Sequence, residues 1–313
     1  MKEFTERLKK INETVDSTTS KMNTPQQHTE VNEHWDLIIE PHAHLFDLKL
    51  RDVWHYRDLL LLLVRRDFVA FYKQTILGPL WLFIQPLFTT IIYTFIFGNL
   101  AGISTQGIPA PLFYMAGITA WNYFSECLTK TSTVFRDNSN VFGKVYFPRL
   151  IIPISIVISN LVRFGIQMLL FFLMIAYYGI KGAPLHINAF AFLFPLLVGL
   201  MALLGLGTGM IISALTTKYR DLVFLVSFGV QLLMYATTVV YPLSEAIKKY
   251  PKYQWLFSLN PMTPIIETFR YGFLGQGTFS WASLGICSAT AVCIALAGIF
   301  IFNKVERNFI DTV

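Results

Sequence analysis

The chain has little charge and almost no cysteine. Of its 313 residues, 14% are charged, three are cysteine and 54% are hydrophobic. A typical soluble domain has about 25% charged residues, so this composition argues against an ordinary cytosolic enzyme. Cys127, Cys287 and Cys293 all fall in apolar runs and form no CxxC pair. The sequence therefore implies no disulfide framework and says nothing about redox compartment.

Motifs that carry chemistry are also missing. The sequence has no GxxxxGK[ST] loop, so the chain cannot hold ATP phosphates in that way. It has no GxSxG or HExxH motif, and the spacing of His42 and His44 does not suit one helical face. The apolar part of the chain has few carboxylates, among them Glu126 and Glu267, and none of them form an acid–base pair. We expect a protein that is not an enzyme and has no catalytic, cofactor-binding or metal residues.

No signal peptide is recognisable, because residues 1–40 are polar and charged without a long apolar stretch. Residues 1–79 hold 23 of the 44 formal charges, and the rest of the chain is sparsely charged and apolar. The shift in composition predicts a disordered cytoplasmic tail over 1–35, an amphipathic region over 36–79 and a membrane domain over 80–302. A short cytoplasmic tail, 303–313, follows.

Six apolar runs in the membrane domain are long enough to cross a bilayer, which needs about 20 residues. Their predicted bounds are 80–100, 111–131, 150–178, 189–215, 222–241 and 281–302. With the N-terminus in the cytoplasm, 14 basic residues flank the inner ends of the spans and five flank the outer ends. The positive-inside rule therefore places both termini in the cytoplasm. The predicted fold is an all-α integral membrane protein with six transmembrane helices.

The region before the first span has short apolar runs with many flanking charges. Residues 47–73 alternate polar and apolar side chains at helical spacing, which predicts a helix lying in the cytoplasmic interface. An amphipathic helix packed on the protein's own body fits the same pattern. Between the last two spans, residues 242–280 contain a 15-residue apolar stretch, too short to cross the membrane. We expect an extracytoplasmic helical hairpin there.

Arg163 is the one charge deep within a predicted span. Because charge inside the bilayer is costly, it indicates either a water-filled path or a pairing with Asn160, Gln167 or a backbone carbonyl. Aromatic residues are also frequent, at 15%. Most should pack or face lipid, although some could line a passage for sugar rings. The candidates for lining a channel are Phe88, Tyr93, Trp121, Phe124 and Arg163.

Four segments, in this order, resemble one family. They are RDLLLLLVRRDFVAFYKQTILGPLW followed by IQP, then FGKVYFPRLIIP, TTKYRDL and SLNPMTPIIETFRYGFLG. Together they look like the permease subunit of type-2 ATP-binding-cassette (ABC) exporters of cell-surface polysaccharide, such as O-antigen, capsule and teichoic acid. The resemblance covers about residues 36–302.

The resemblance implies two copies of the permease in the cytoplasmic (inner) membrane, paired with a separate ATPase subunit that binds ATP and Mg²⁺. The substrate would be a glycan on a polyprenyl pyrophosphate. Residues 136–147 would form the coupling helix that docks on the ATPase. Its contact residues would be Arg136, Asn140, Val141, Phe142, Lys144, Val145 and Tyr146.

The same resemblance makes the interfacial helix a gate at the cytoplasmic entrance. Clustered cations there could meet the pyrophosphate, or could serve only as positive-inside anchors. The gate residues would be Arg51, Trp54, Arg57, Arg65, Arg66 and Lys73. The outer hairpin, which would cap the pore, carries Asn260, Pro261, Glu267 and Arg270.

Other functions fit the sequence less well. A permease of the same fold that exports a drug or another lipid is the main alternative. A membrane enzyme would need a clustered carboxylate, histidine or metal site. The aromatic content and the gate-like amphipathic helix favour the polysaccharide exporter over the drug or lipid exporter. A neighbouring ATPase gene would separate both transporters from a membrane enzyme or a scaffolding membrane protein.

Overall fold

The chain folds into α-helices in a computed structural model that describes residues 50–73, 76–138, 147–219 and 221–310. Within these ranges no β-strand occurs. The helices are α1 (Leu50–His55), α2 (Arg57–Lys73), α3 (Trp81–Tyr93), α4 (Ala110–Thr131), α5 (Val134–Asp137), α6 (Ile151–Ile180), α7 (Phe194–Lys218), α8 (Leu222–Ala236), α9 (Leu243–Lys249), α10 (Gln254–Leu259), α11 (Met262–Leu274) and α12 (Trp281–Ile310). Shorter turns of 3₁₀-helix precede α3, α7 and α10, and a π-helical segment, Thr94–Leu100, extends α3.

Four helical segments of the described chain are long and apolar enough to cross a membrane. They are Gly78–Leu100, Ile151–Ile180, Ala189–Lys218 and Trp281–Val305. Each coincides with one of the predicted spans to within a few residues, so the prediction of an all-helical integral membrane protein is confirmed. The count of six spans stays a prediction.

The predicted second span forms α4, a 22-residue helix that is not among these four. Fifteen of its residues are buried, because α3, α6, α7, α8 and α11 all contact it. A helix surrounded by protein does not need the continuous apolar surface that lipid demands. The polar residues Asn122 and Glu126 lie outside the buried part of α4, at half-buried and exposed positions.

The predicted fifth span, 222–241, is too long at its C-terminal end. Helix α8 ends at Ala236, and Thr237 is extended, with φ −101° and ψ 155°. The carbonyls of Thr238 and Val239 accept hydrogen bonds from the Arg270 guanidinium at 2.6 and 2.7 Å. These carbonyls bind a side chain from α11 instead of continuing the helix, so the span is shorter than the apolar run suggested.

The predicted interfacial helix is divided at Tyr56, where a turn separates α1 from α2. Helix α2 packs against α6, and Leu63 is buried in a second core cluster with Phe135 and Phe302. Leu61 and Leu62 remain 60% and 63% exposed. The helix therefore packs on the protein's own body and still presents apolar side chains outward.

Helices α7 and α12 approach closely at two glycines. A Cβ atom on Gly298 would lie 2.5 Å from the carbonyl oxygen of Gly207, and one on Gly207 would lie 2.7 Å from Cα of Ala295. Small residues at such a crossing allow membrane helices to pack through their backbones. This contact joins the last helix of the chain to the core.

Several predictions fall on residues outside the described ranges. They concern the disordered tail over 1–35, most of the coupling segment and the last residues of the C-terminal tail. The described residues of that segment are 136–138 and 147, and the first two belong to the end of α5, which follows α4 after a turn at Ser132 and Thr133.

Candidate functional site

A polar cavity lies among α3, α4 and α6. Its volume is about 100 Å³. Amide side chains from the three helices border it, together with a carboxylate and a guanidinium, and we call it the amide cavity. Its polar lining residues are Gln85, Asn122, Ser125, Glu126, Asn160, Arg163 and Gln167. Polar groups on three apolar helices thus meet at one place.

A charge network forms one wall of the amide cavity. Arg163 Nη1 lies 3.4 Å from Oε2 of Glu126, 37 residues away in sequence. The same carboxylate oxygen lies 2.5 Å from Nζ of Lys130, one turn further along α4. Lys130 also donates to Oδ1 of Asn160 at 3.2 Å. The intramembrane cation is therefore paired across helices, and its partner is Glu126.

The sequence named Asn160 and Gln167 as possible partners of Arg163, and both line the same cavity. It did not identify Gln85, Asn122 or Lys130 as part of this site. The sequence does show that Gln85 and Asn122 are amides within or beside apolar runs. It does not show that side chains from three different helices meet at one cavity, so these amides could not be assigned to a site.

A larger groove lies beside the amide cavity and is bordered by α2. It has a volume of about 590 Å³ and shares Asn160 and Arg163 with the cavity. Arg66 and Asp67 of α2 form its opposite wall, where they pair with each other at 2.9 Å. Polar and charged side chains therefore extend from the amphipathic helix to the amide cavity, and Asn160 and Arg163 line both spaces.

The predicted gate residues occupy different positions on α1 and α2. Arg57, Arg65, Arg66 and Lys73 are all exposed, and Arg66 also borders the groove. Trp54 is 71% exposed, and the Arg57 guanidinium lies 5.8 Å from the centre of its ring. The side chain of Arg51 is outside the described part of the chain. Of the described gate cations, Arg66 is the one that faces the groove.

The aromatic channel candidates differ in exposure. Trp121 and Phe124 are 3% and 4% exposed and contact each other in the main core, with ring centres 5.4 Å apart. Phe88 is 58% exposed on α3. Tyr93 packs edge-to-face on Phe97, and its hydroxyl lies 3.8 Å from Sδ of Met234 on α8. Within one chain, Trp121 and Phe124 therefore act as packing residues, and the lining role of all four stays a prediction.

The residues of the predicted outer hairpin form a buried polar cluster. Glu267 and Arg270 are both 1% exposed, and their charged groups lie 3.6 Å apart. Glu267 accepts hydrogen bonds from the backbone of Leu243 and from the backbone and hydroxyl of Thr278, at 3.1–3.3 Å. Asn260 donates to the Thr237 hydroxyl at 2.7 Å. The cluster ties α9 and α11 to the end of α8.

Two further contacts join this cluster to α4 and α12. The Arg270 guanidinium lies 3.7 Å from the centre of the Phe113 ring, a cation–π distance. The Pro261 carbonyl accepts a contact from Sγ of Cys287 at 3.1 Å. The hairpin residues named from sequence thus hold the fold together at this end.

Most of the predicted coupling residues, from Asn140 to Tyr146, lie outside the described residues. Arg136 is described, and it pairs with its neighbour Asp137 at 2.8 Å. Asp137 also lines the groove. In the part of the chain that the structure covers, no group of three His, Cys, Asp or Glu residues is arranged to hold a metal ion.

Comparison with known proteins places these features in a family. Residues 58–274 match the profile described as ABC-2 type transporter, which is more than half of the chain. The O-antigen export system permease protein RfbA of Klebsiella pneumoniae is 28% identical over 81% of this chain and 94% of its own length. RfbA of Myxococcus xanthus is 28% identical over 84% of this chain and 98% of its own length.

A more distant relative is the inner membrane transport permease YadH of Escherichia coli K12. It is 24% identical over 74% of this chain and 85% of its own length. The family match spans α2 through α11 and so includes the groove, the amide cavity and most of the buried cluster, with Glu267 and Arg270. The chain is a membrane permease that belongs to the ABC-2 type transporter family.

Proposed function

We propose that this chain is the transmembrane subunit of an ATP-driven exporter that moves a polyprenyl-pyrophosphate-linked polysaccharide across the cytoplasmic membrane. The observation that carries the proposal is the set of polar and charged side chains that line the groove beside α2 and the adjoining amide cavity. A hydrophilic polymer needs such hydrogen-bonding groups at membrane depth, where lipid offers none. The O-antigen permeases that match this chain over nearly their full lengths support the same substrate class.

ATP hydrolysis belongs to a separate ABC ATPase subunit, since the chain has no phosphate-binding loop. The segment 136–147 docks on that subunit. It follows α4 and precedes α6, the two helices whose side chains form the Glu126–Arg163 pair. Movement of the segment would therefore reach the groove and the amide cavity through the helices that flank it.

Two copies of the permease form the complete pathway, with both termini in the cytoplasm. A single chain has small cavities, and a polymer needs a wider passage, which a two-fold interface supplies. Large apolar side chains are exposed on α3 and α8, including Phe88 and Phe228 at 58% and 61%. Contact with a second copy or with lipid would cover them.

The pyrophosphate of the substrate meets cations at the cytoplasmic entrance. Arg66 has the best position, because it borders the groove. Arg57, Arg65 and Lys73 lie on the same helix and raise the local positive charge. Paired guanidinium groups bind phosphate well, so these residues would hold the head of the lipid while the glycan is engaged.

A strain that lacks this gene tests the proposal. Lipid-linked glycan inside the cell and polysaccharide on the surface are both quantified, and the intact gene on a plasmid is the control. We expect trapped glycan and a bare surface, with both restored by the plasmid. An unchanged surface without trapped precursor, in a strain shown to have no second exporter, would contradict the proposal and favour export of a drug or another lipid.

A further inference from the structure

Three amide side chains converge on the amide cavity without a hydrogen-bond partner among the described residues. They are Gln85 of α3, Asn122 of α4 and Gln167 of α6. A side-chain amide has two N–H donors and a carbonyl acceptor. The Gln85 side chain is exposed, and those of Asn122 and Gln167 are half-buried, so all three amides are open to a ligand. The cavity therefore presents both donors and acceptors to a polar occupant.

The charge pattern of the cavity favours a neutral occupant over an anion. Its lining holds one carboxylate, Glu126, and one guanidinium, Arg163, so the lining charges cancel. The carboxylate and the Arg163 guanidinium lie 3.4 Å apart and supply acceptors and donors side by side. A hydroxyl group can donate to the first and accept from the second. Neighbouring hydroxyl groups of a sugar match this alternation of donors and acceptors.

The dimensions fit a ligand that enters with only a part of its length. A volume of about 100 Å³ corresponds to about three water molecules at roughly 30 Å³ each. It admits the hydroxyl-bearing edge of one sugar ring, while the adjoining groove of about 590 Å³ lies within the usual size of ligand sites. The rest of the ligand would lie in the groove beside α2.

We propose that the amide cavity is a binding site for vicinal hydroxyl groups of a sugar, with Gln85, Asn122 and Gln167 as the recognising side chains. The proposal rests on the proposed function, because it makes the exported glycan the natural source of that sugar. A glycolipid head group of the surrounding membrane has the same chemistry. Both would reach the cavity along the groove.

The binding test measures how fast a cysteine in the cavity reacts. Gln167→Cys is introduced together with Cys293→Ala, which removes the exposed native thiol. The permease–ATPase complex in lipid nanodiscs is treated with a small methanethiosulfonate reagent. Dodecyl maltoside, maltose and dodecylphosphocholine are added as probes in separate samples. Lys248→Cys, on an exposed part of α9, is the matched control.

We expect dodecyl maltoside to slow the labelling of Gln167→Cys severalfold and to leave Lys248→Cys unchanged. Dodecylphosphocholine, which has the same tail and no sugar, should protect neither position. Protection by maltose as well would show that the sugar binds without its tail. Equal protection by both detergents, or no protection by either, would overturn the proposal.

An export test identifies the source of the sugar. Asn122→Leu and Gln167→Leu are expressed in the deletion strain, and Gln231→Leu, an exposed amide on α8 outside the cavity, is the control. Complex abundance is checked for each variant. If dodecyl maltoside protects Gln167→Cys and the leucine variants lose export, the site binds the exported glycan. If dodecyl maltoside protects Gln167→Cys but the leucine variants export normally, the site binds a glycolipid head group. If the intact gene does not restore surface glycan, the proposed function fails, while the labelling result still decides the binding site.

Discussion

Glu267 and Arg270 form an ion pair one turn apart on α11, with both side chains 1% exposed and their charged groups 3.6 Å apart. The guanidinium reaches two carbonyls beyond the end of α8 and the ring of Phe113 on α4. The carboxylate holds the segments on either side of α11, at Leu243 and Thr278. One buried pair therefore organises the outer-hairpin region around α4.

Neutralising Glu267 tests this role. We expect Glu267→Gln to destabilise the protein by about 3–5 kcal/mol, because the substitution leaves a buried guanidinium without its counter-charge. The amount of folded permease in the membrane and its melting temperature in detergent should both fall. Glu245→Gln is the control, since its partner Lys248 is 75% exposed and such surface pairs contribute about 0–1 kcal/mol. Similar stability of the two variants would contradict the assignment.

Gly117 gives a second test of the same region. A Cβ atom there would lie 2.6 Å from Nη2 of Arg270 and 2.8 Å from the carbonyl oxygen of Val239. Gly117→Ala should therefore cost about 1–3 kcal/mol through overpacking, measured as a lower melting temperature. Gly165→Ala on α6 is the matched control, because its Cβ would meet open space. A melting temperature that falls no further for Gly117→Ala than for Gly165→Ala would show that α11 can move away from α4.

The charge pair in the amide cavity gives a prediction about transport. Arg163→Met should lower export about tenfold, equivalent to about 1.4 kcal/mol, because Glu126 then keeps Lys130 on its own helix but loses the pair that joins α4 to α6. The double variant Arg163→Glu with Glu126→Arg restores an opposite-charge pair and should recover part of the export. Surface glycan and permease abundance are measured together. Normal export with only reduced abundance would make Arg163 a structural residue.

The coupling segment gives a prediction from the sequence alone. Replacing Val145 and Tyr146 with aspartate should separate the ATPase from the permease, because two charges would disrupt an apolar docking contact. Co-purification of the ATPase and ATP hydrolysis by the complex are the measurements. Tyr250→Asp, at an exposed position after α9, is the control. If the Val145/Tyr146 variant keeps both complex formation and export, the docking segment lies elsewhere.

The residues of the amide cavity could be predicted from the sequence only in part. Arg163 was recognisable because a charge within an apolar run is costly wherever it points. Its partner Glu126 lies 37 residues away on another helix. The pairing depends on how α4 and α6 are rotated and how far one has slid along the other. Neither quantity follows from hydropathy.

The bounds of the apolar segments were also predictable only in part. The first, third, fourth and sixth spans could be placed because lipid requires long apolar stretches of backbone-satisfied helix. The end of α8 could not be placed, because it depends on a guanidinium that arrives from α11 and occupies the Thr238 and Val239 carbonyls. Local composition over 222–241 contains no trace of that contact.

The sequence by itself determined that this is a helical membrane protein, and its ordered motifs pointed to the permease family. Those properties depend on transfer free energies and local patterns, which act residue by residue along the chain. Only the tertiary structure decided that α4 is central, that Gln85, Asn122 and Gln167 share one cavity, and that Arg66 borders the groove. These facts depend on helix–helix packing, in which residues distant in sequence must fit each other's shape and hydrogen-bonding groups.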